Sequence, residues 1–451
     1  MFIVLSLFIP FFLGLGLLPL LLFPRMFFDE SASQANGRSS SILAIVMALG
    51  FLVDYLLVLI VQDIANALAI AAALSCLGFL VFFLKNRQFL VHMFKVGWPV
   101  AAVFIYVVGL YAIPILLDPI AAWDARSIWF LHGKMIYFNK GLYGASFENF
   151  LEFSHLDYPK LVPVLAGQVA YLVGFWNEYL PKASLLALIL PGILGLVSFF
   201  ERRRFAWLFL IILLPFSQGW LLWDGYMDGY LALYGALSLL FFGRWLKEGS
   251  AIDFAGGFVF AGVALNLKNE GMLFTLCIAT VLLGVLLLRK RPASHLASFP
   301  LIQIGASAVV PLACFLFWSY RKMSWGLEND LRLGIGSLER IKEHLNIEAL
   351  SLLFRAVLVE ASVGKALFLF AACILIAIIL RTRISVEQLF PLLVGIFYFL
   401  GIVTVYLATP ADLAWHLTMS ATRTMMPVVL AIFTTIFFVI CAIEGAGKDD
   451  V

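Results

Sequence analysis

Apolar runs long enough to cross a bilayer follow one another along most of this chain. A spanning helix needs about 20 such residues. The runs fall at 3–23, 41–62, 66–84, 97–117, 183–200, 205–222, 229–243, 252–267, 271–288, 299–318, 364–381, 386–408 and 424–443. Lipid cannot satisfy open backbone groups, so a spanning segment must be a helix or part of a closed barrel. The period-2 alternation of a barrel strand is absent. The pattern predicts an all-α polytopic membrane protein with about thirteen transmembrane helices.

Orientation follows from lysine and arginine in the short connections, which collect on the cytoplasmic side. The stretches at 85–95 (KNRQFLVHMFK), 201–204 (ERRR), 244–247 (RWLK), 289–291 (RKR) and 381–383 (RTR) are all basic. The alternate connections, 223–228 and 409–423, carry Arg423 as their one basic side chain of this kind. A further apolar run, 161–176, breaks the alternation if it crosses, because ERRR would then lie outside. It is therefore expected to lie along the outer interface or dip into the protein. Residues 118–182 become one large extracytoplasmic loop, with the N-terminus outside and the C-terminus inside. The first run lacks a basic leader and a small-residue cleavage site, so it reads as a retained span. A second outer segment, 319–363, has the leucine and charge spacing of an amphipathic helix on the membrane.

Composition adds little to this. Hydrophobic residues make up 63% of the chain, charged residues 13%, and the net charge is +3, which gives no footprint for nucleic acid. The five cysteines (Cys76, Cys277, Cys314, Cys373 and Cys441) lie in apolar segments and read as buried small hydrophobes.

The chemistry concentrates on one side of the membrane. Asp124, Arg126 and Lys134 open the first outer loop, in AAWDARSIWFLHGKMIYF. His155, Asp157 and Tyr158 follow in HLDYP, Asp224 and Asp228 in WDGYMDG, Lys268 and Glu270 in LKNEG, and His416 and Arg423 in DLAWHLTMSATR. Ionisable groups at membrane depth are costly and usually mark function. Simpler readings stand beside this one. Asp124 can cap a helix over about 125–138, and Trp123 and Trp129 can anchor at the headgroups. His132, like Arg126 and Lys134, fits either substrate contact or a solvated helix face. Asp224 and Asp228, four apart, can share a helix face. Asp54 stands alone in mid-span, either hydrogen-bonded within the bundle or marking a polar path.

An acidic residue at the head of the first outer loop, then HLDYPKLVPVL leading into an interfacial helix, then an outer aspartate after a basic turn, resembles the GT-C superfamily of membrane glycosyltransferases. The protein O-mannosyltransferases and lipid A aminoarabinose transferases are the most similar families, and the chain looks like a bacterial branch. The resemblance covers roughly 97–235 by motif and 236–451 by hydropathy, which makes 97–451 the catalytic module and 1–96 a set of extra N-terminal helices. WDARS replaces the paired acids of the mannosyltransferases.

The resemblance implies a multi-pass protein of the bacterial inner membrane that moves a sugar from a polyprenyl-phosphate donor to a hydroxyl on a glycan, lipid or protein acceptor, with inversion. Asp124 is the expected general base. Arg423, Lys268 and Arg126 are the expected phosphate partners, and Lys134, His155, Asp157, Tyr158, Asp224, Asp228, Glu270 and His416 are expected to line the substrate site with them. No metal ligand set is assigned, although Asp124 with Asp224 or Asp228 admits Mg²⁺ or Mn²⁺. Two alternatives remain: a transporter or flippase of a lipid-linked saccharide, favoured by Asp54, and an O-antigen ligase or polymerase.

Overall fold

The computed structural model describes residues 2–21, 38–143, 154–199, 220–288, 301–328 and 336–446. These residues form an all-α, membrane-type fold with no strand among them. Eight helices are long and apolar enough to cross a bilayer, or nine if a pair bent by 61° is one span. In chain order the helices are α1 (Phe2–Leu21), α2 (Ser39–Val61), α3 (Ile64–Met93), α4 (Trp98–Leu117), α5 (Phe130–Asn139), α6 (Leu161–Val173), α7 (Ser184–Val197), α8 (Met227–Glu248) and α9 (Ala251–Leu265). They continue with α10 (Asn269–Leu288), α11 (Leu301–Ser324), α12 (Ser337–His344), α13 (Ile347–Phe354), α14 (Val363–Ile379), α15 (Val386–Leu407), α16 (Leu413–Thr424) and α17 (Met426–Ala446). Each apolar run read from the sequence is a helix except 205–222, nearly all of which lies outside the described residues, as do the ERRR and RKR turns.

Two boundaries differ from the hydropathy reading. Helix α3 runs through the basic stretch at 85–95 as far as Met93. Helix α8 continues past 243 to Glu248, so Arg244 is inside a helix rather than in a basic turn. It is buried there because Asp253 accepts from its Nε at 2.8 Å, while Phe199 lies 4.0 Å from its guanidinium carbon. Arg38 closes the same end of the bundle, bonded to Ser250 and, at 3.3 Å, to Glu248.

The 161–176 run is the short helix α6, 13 residues long. At 1.5 Å per residue it spans about 20 Å, short of the roughly 30 Å hydrocarbon core. Its residues 161–170 are all buried, against α5, α7 and α2. It is therefore packed into the bundle rather than laid on its surface. In the segment 319–363 α12 buries none of its residues and α13 only two. A π-turn over Arg355–Glu360 then leads to the bend before α14.

The core is one contiguous apolar cluster running through the bundle. In a bilayer, helices associate through close packing rather than expulsion from water, and small residues permit it. Gly16 and Gly50 show this between α1 and α2: a Cβ on either would collide with a backbone carbonyl of the other helix, that of Val46 or of Phe12. Gly284 on α10 has no such neighbour. Gly50→Ala should therefore lower stability by about 1–3 kcal/mol, and Gly284→Ala should change it by less than about 0.5 kcal/mol. Denaturant unfolding of the detergent-solubilised protein reads both.

Candidate functional site

Four chain segments meet at one end of the bundle. Helix α4 ends at Leu117 and is followed by a segment carrying Asp124. Helix α8 starts with Asp228 in its first turn. The α9–α10 connection holds Lys268, and Glu270 lies in the first turn of α10. Helix α16 carries Arg423 in its last turn, after an N-terminus capped by the Asp412 side chain on the Trp415 amide (2.8 Å).

These side chains form a chain of ion pairs. Arg423 Nη1 donates to the carboxylate of Asp124 and lies 3.5 Å from Asp228 Oδ2. Lys268 Nζ donates to Asp228 Oδ1 at 2.8 Å and pairs with Glu270 Oε1 at 3.0 Å. Two cations thus serve three carboxylates. Burial opposes the charge on Lys268, but Asp228 and Glu270 hold its ammonium well above the usual lysine range. Burial is deepest in the middle of the chain: the Asp228 side chain is 3% exposed and Lys268 8%, against 14% for Asp124, 16% for Arg423 and 21% for Glu270. Both ends reach toward the surface, and the Asp124–Arg423 pair is one of them.

Aromatic rings line both cations. Tyr226 sits 4.6 Å from the Arg423 guanidinium carbon. Tyr158 sits 5.9 Å from Lys268 Nζ and stacks between His155 (4.7 Å) and Trp129 (5.5 Å). Burial, then Glu270, keeps the Tyr158 phenol well above its usual range.

The remaining members of HLDYP act as a strut. Asp157 is fully buried; it accepts from Asn269 Nδ2 at 2.6 Å, and its carbonyl accepts from Trp318 at 3.3 Å. That ties the first loop to α10 and α11 beside Lys268. Next to it, Lys160 is buried with its ammonium nitrogen on the Leu156 carbonyl (2.9 Å) and 5.3 Å from the Trp318 ring. Burial pushes it down to about 7, against partial support from Asp157.

Several expected residues lie elsewhere. Arg126 is exposed and lies over Trp123, and Lys134 pairs with Glu178 at 3.6 Å on the surface. Asp224 is separated from Asp228 by a break at Gly225 (φ 89°), so the two share no helix face. Burial raises the Asp224 carboxyl, offset by Lys182. His416 bonds Thr409 at 2.9 Å and packs edge-on to Tyr406. Asp54 accepts from Gln168 Nε2 at 3.0 Å inside the bundle, apart from the ion chain.

Three simpler readings also change. Asp124 makes no side-chain cap, because its own backbone is already helical and a π-turn over Ala125–Trp129 follows it. Trp129 is 1% exposed and is no headgroup anchor, whereas Trp123 is 66% exposed. His132 is fully buried, with Nε2 2.8 Å from the Ser154 carbonyl oxygen, so it belongs neither to a solvated face nor to the ion chain. Tyr226, Asn269 and Lys160 were not singled out from sequence. Tyr226 had a signal in lying between two outer aspartates.

A divalent cation does not fit between Asp124 and Asp228, because the Arg423 guanidinium fills that position. Among the described residues no three acidic, histidine or cysteine side chains converge as a ligand set.

No protein-family model, curated protein or solved structure matches this chain.

Lys268→Met leaves Asp228 and Glu270 without their shared cation. The expected loss is about 3–5 kcal/mol, the usual result of halving a buried pair, and Lys268→Arg should recover most of it. Unfolding in detergent measures both. Lys160 gives a pH test. Its folded value lies below its unfolded one, so between about pH 7 and 10 the unfolded chain binds the extra proton and stability rises with pH. In Lys160→Met that rise should shrink across the same window, read as unfolding midpoint against pH.

Proposed function

We propose that the protein is a membrane glycosyltransferase that moves a sugar from a polyprenyl-phosphate donor to a hydroxyl acceptor. The observation that carries the proposal is the ion chain Asp124–Arg423–Asp228–Lys268, built from four chain segments at one end of an apolar helix bundle. It offers a carboxylate and a guanidinium side by side at one of the two exposed ends of a chain whose middle is buried. A lipid-linked sugar phosphate needs both. Its tail remains in the bilayer while its headgroup reaches the bundle's end. The basic connections favour an extracytoplasmic site; hydropathy favours thirteen spans, and the resemblance implies GT-C architecture in a bacterial inner membrane.

In this mechanism Asp124 takes the proton from the acceptor hydroxyl. The acceptor oxygen bonds to the anomeric carbon as the bond from that carbon to the phosphate oxygen breaks. The electron pair leaves with the lipid phosphate, and the anomeric centre inverts. Arg423 receives that charge, since its planar fork suits phosphate oxygens. Lys268 supplies positive potential from behind, through Asp228. Preorganised charge of this kind is the main source of catalysis where an anion departs.

Asp124→Asn should lower transfer of labelled sugar from a polyprenyl-phosphate donor by about 10²–10⁴-fold, the usual contribution of a general base. The assay uses the purified protein in lipid vesicles, with folding checked by thermal unfolding. Near-normal transfer by the folded variant would remove Asp124 from the mechanism.

A further inference from the structure

The arginine that the transfer reading assigns to the donor phosphate is already engaged. Its Nη1 holds Asp124 and approaches Asp228 at 3.5 Å, and its Nη2 donates to the Met419 carbonyl at 3.1 Å. The carboxylate proposed to accept a proton therefore has an oxygen occupied by the cation proposed to bind the donor. A phosphate added to this arrangement would place a fourth anionic group on two cations. In a site this buried, such crowding is poorly screened.

The two carboxylates on Arg423 are not equally free to move. Asp228 is nearly inaccessible, and Lys268 and Arg423 hold it from both sides. Asp124 is more exposed than Asp228, bonds to Arg423 alone among the described cations, and sits at the helical start of the π-turn that leads into α5. Tyr226 backs the guanidinium, so the guanidinium can stay in place while its partner changes. We infer that the phosphate of an incoming polyprenyl donor displaces Asp124 from Arg423, so that the base is released when the donor is seated. This rests on the transfer reading above and adds an order to it: donor first, then a competent base for the acceptor. Before the donor arrives, the Asp124–Arg423 pair is a closed latch, and water or a stray hydroxyl meets no available base.

If Asp124 and phosphate compete for Arg423, removing the Asp124 charge must tighten phosphate binding even as it abolishes transfer. That follows from the reciprocity of linked equilibria. The test is equilibrium binding of a polyprenyl monophosphate to the full-length protein in nanodiscs, with polyprenol and inorganic phosphate as separate probes. Asp124→Asn should bind the polyprenyl monophosphate about tenfold tighter than wild type, within the usual range of coupling between sites. Asp224→Asn should stay within about twofold, since among the described residues Asp224 makes no ion pair with Arg423. Polyprenol binding should be the same in all three proteins.

Equal or weaker binding by Asp124→Asn, with wild type binding measurably, overturns the displacement. Equal tightening in Asp224→Asn also overturns it, because general relief of negative charge would then explain the gain. Inorganic phosphate binding as tightly as the lipid form overturns a lipid donor as the trigger. No binding of polyprenyl monophosphate to any of the proteins overturns the transfer reading itself, and the latch with it. If Asp124→Asn does not fold, the wild type still decides. Carbodiimide labelling of Asp124, read by peptide mass spectrometry, should rise several-fold on saturation with polyprenyl monophosphate, and an unchanged or lower yield refutes the release.

Discussion

Asp228 is the constraint around which this end of the molecule is arranged. A carboxylate 3% exposed at the start of an apolar helix is costly to keep ionised unless cations reach it. Lys268 and Arg423 reach it from opposite directions, one from the α9–α10 connection and one from α16. Those cations bring their own partners, Glu270 and Asp124. Four segments distant in sequence are thereby fixed relative to one another. Asp157 strengthens this from behind by pinning Asn269, the residue after Lys268.

Helix α8 joins this cluster to a second one. Its 22 residues span about 33 Å, with Asp228 at one end and Arg244 near the other. Arg244 is held by Asp253, and Arg38 by Glu248 and Ser250. Every residue from Met227 to Leu246 is buried. The helix is therefore the axis of the bundle, charged only at its ends. Its apolar middle packs on α9, α17 and α15, and the ion pairs set its register along the axis. A helix held in this way makes a rigid support for a site, which matters where reacting groups must be held close to a productive geometry.

Much of this was legible in the chain. Hydropathy gave the helices, because a bilayer leaves the backbone no other choice. The alternation of basic connections gathered Asp124, Asp228, Lys268, Glu270 and Arg423 at one end, and they are joined there by ion pairs. What sequence could not supply was azimuth. Asp124 and Arg126 are two residues apart, which on a helix sends them to different faces, and Arg126 points away. The π-turn over Ala125–Trp129 shifts the phase of all that follows, burying Trp129 and His132. Asp224 and Asp228 had helical spacing, but Gly225 breaks the helix between them. Lys160 was passed over because a lysine after HLDYP reads as a solvated residue, and its burial depends on Trp318, more than 150 positions away.

The proposed roles put a proton acceptor, Asp124, beside an anion receptor, Arg423, a problem that a low-dielectric site makes worse. The two groups have opposite charge, so in the absence of ligand they neutralise each other, and each conceals the other's chemistry. Separating them permanently would leave an unpaired guanidinium and an unpaired carboxylate in a largely buried position, each carrying a desolvation cost. Pairing them reversibly avoids that cost, provided one partner is held more loosely. The exposure gradient from Asp228 to Asp124 has that form: the inner pair is doubly held, and the outer carboxylate is singly held and nearer solvent. Loosening the inner pair would free Arg423 to follow Asp124. In the proposed displacement, the placement of Lys268 on Asp228 is what lets Asp124 be the carboxylate that moves.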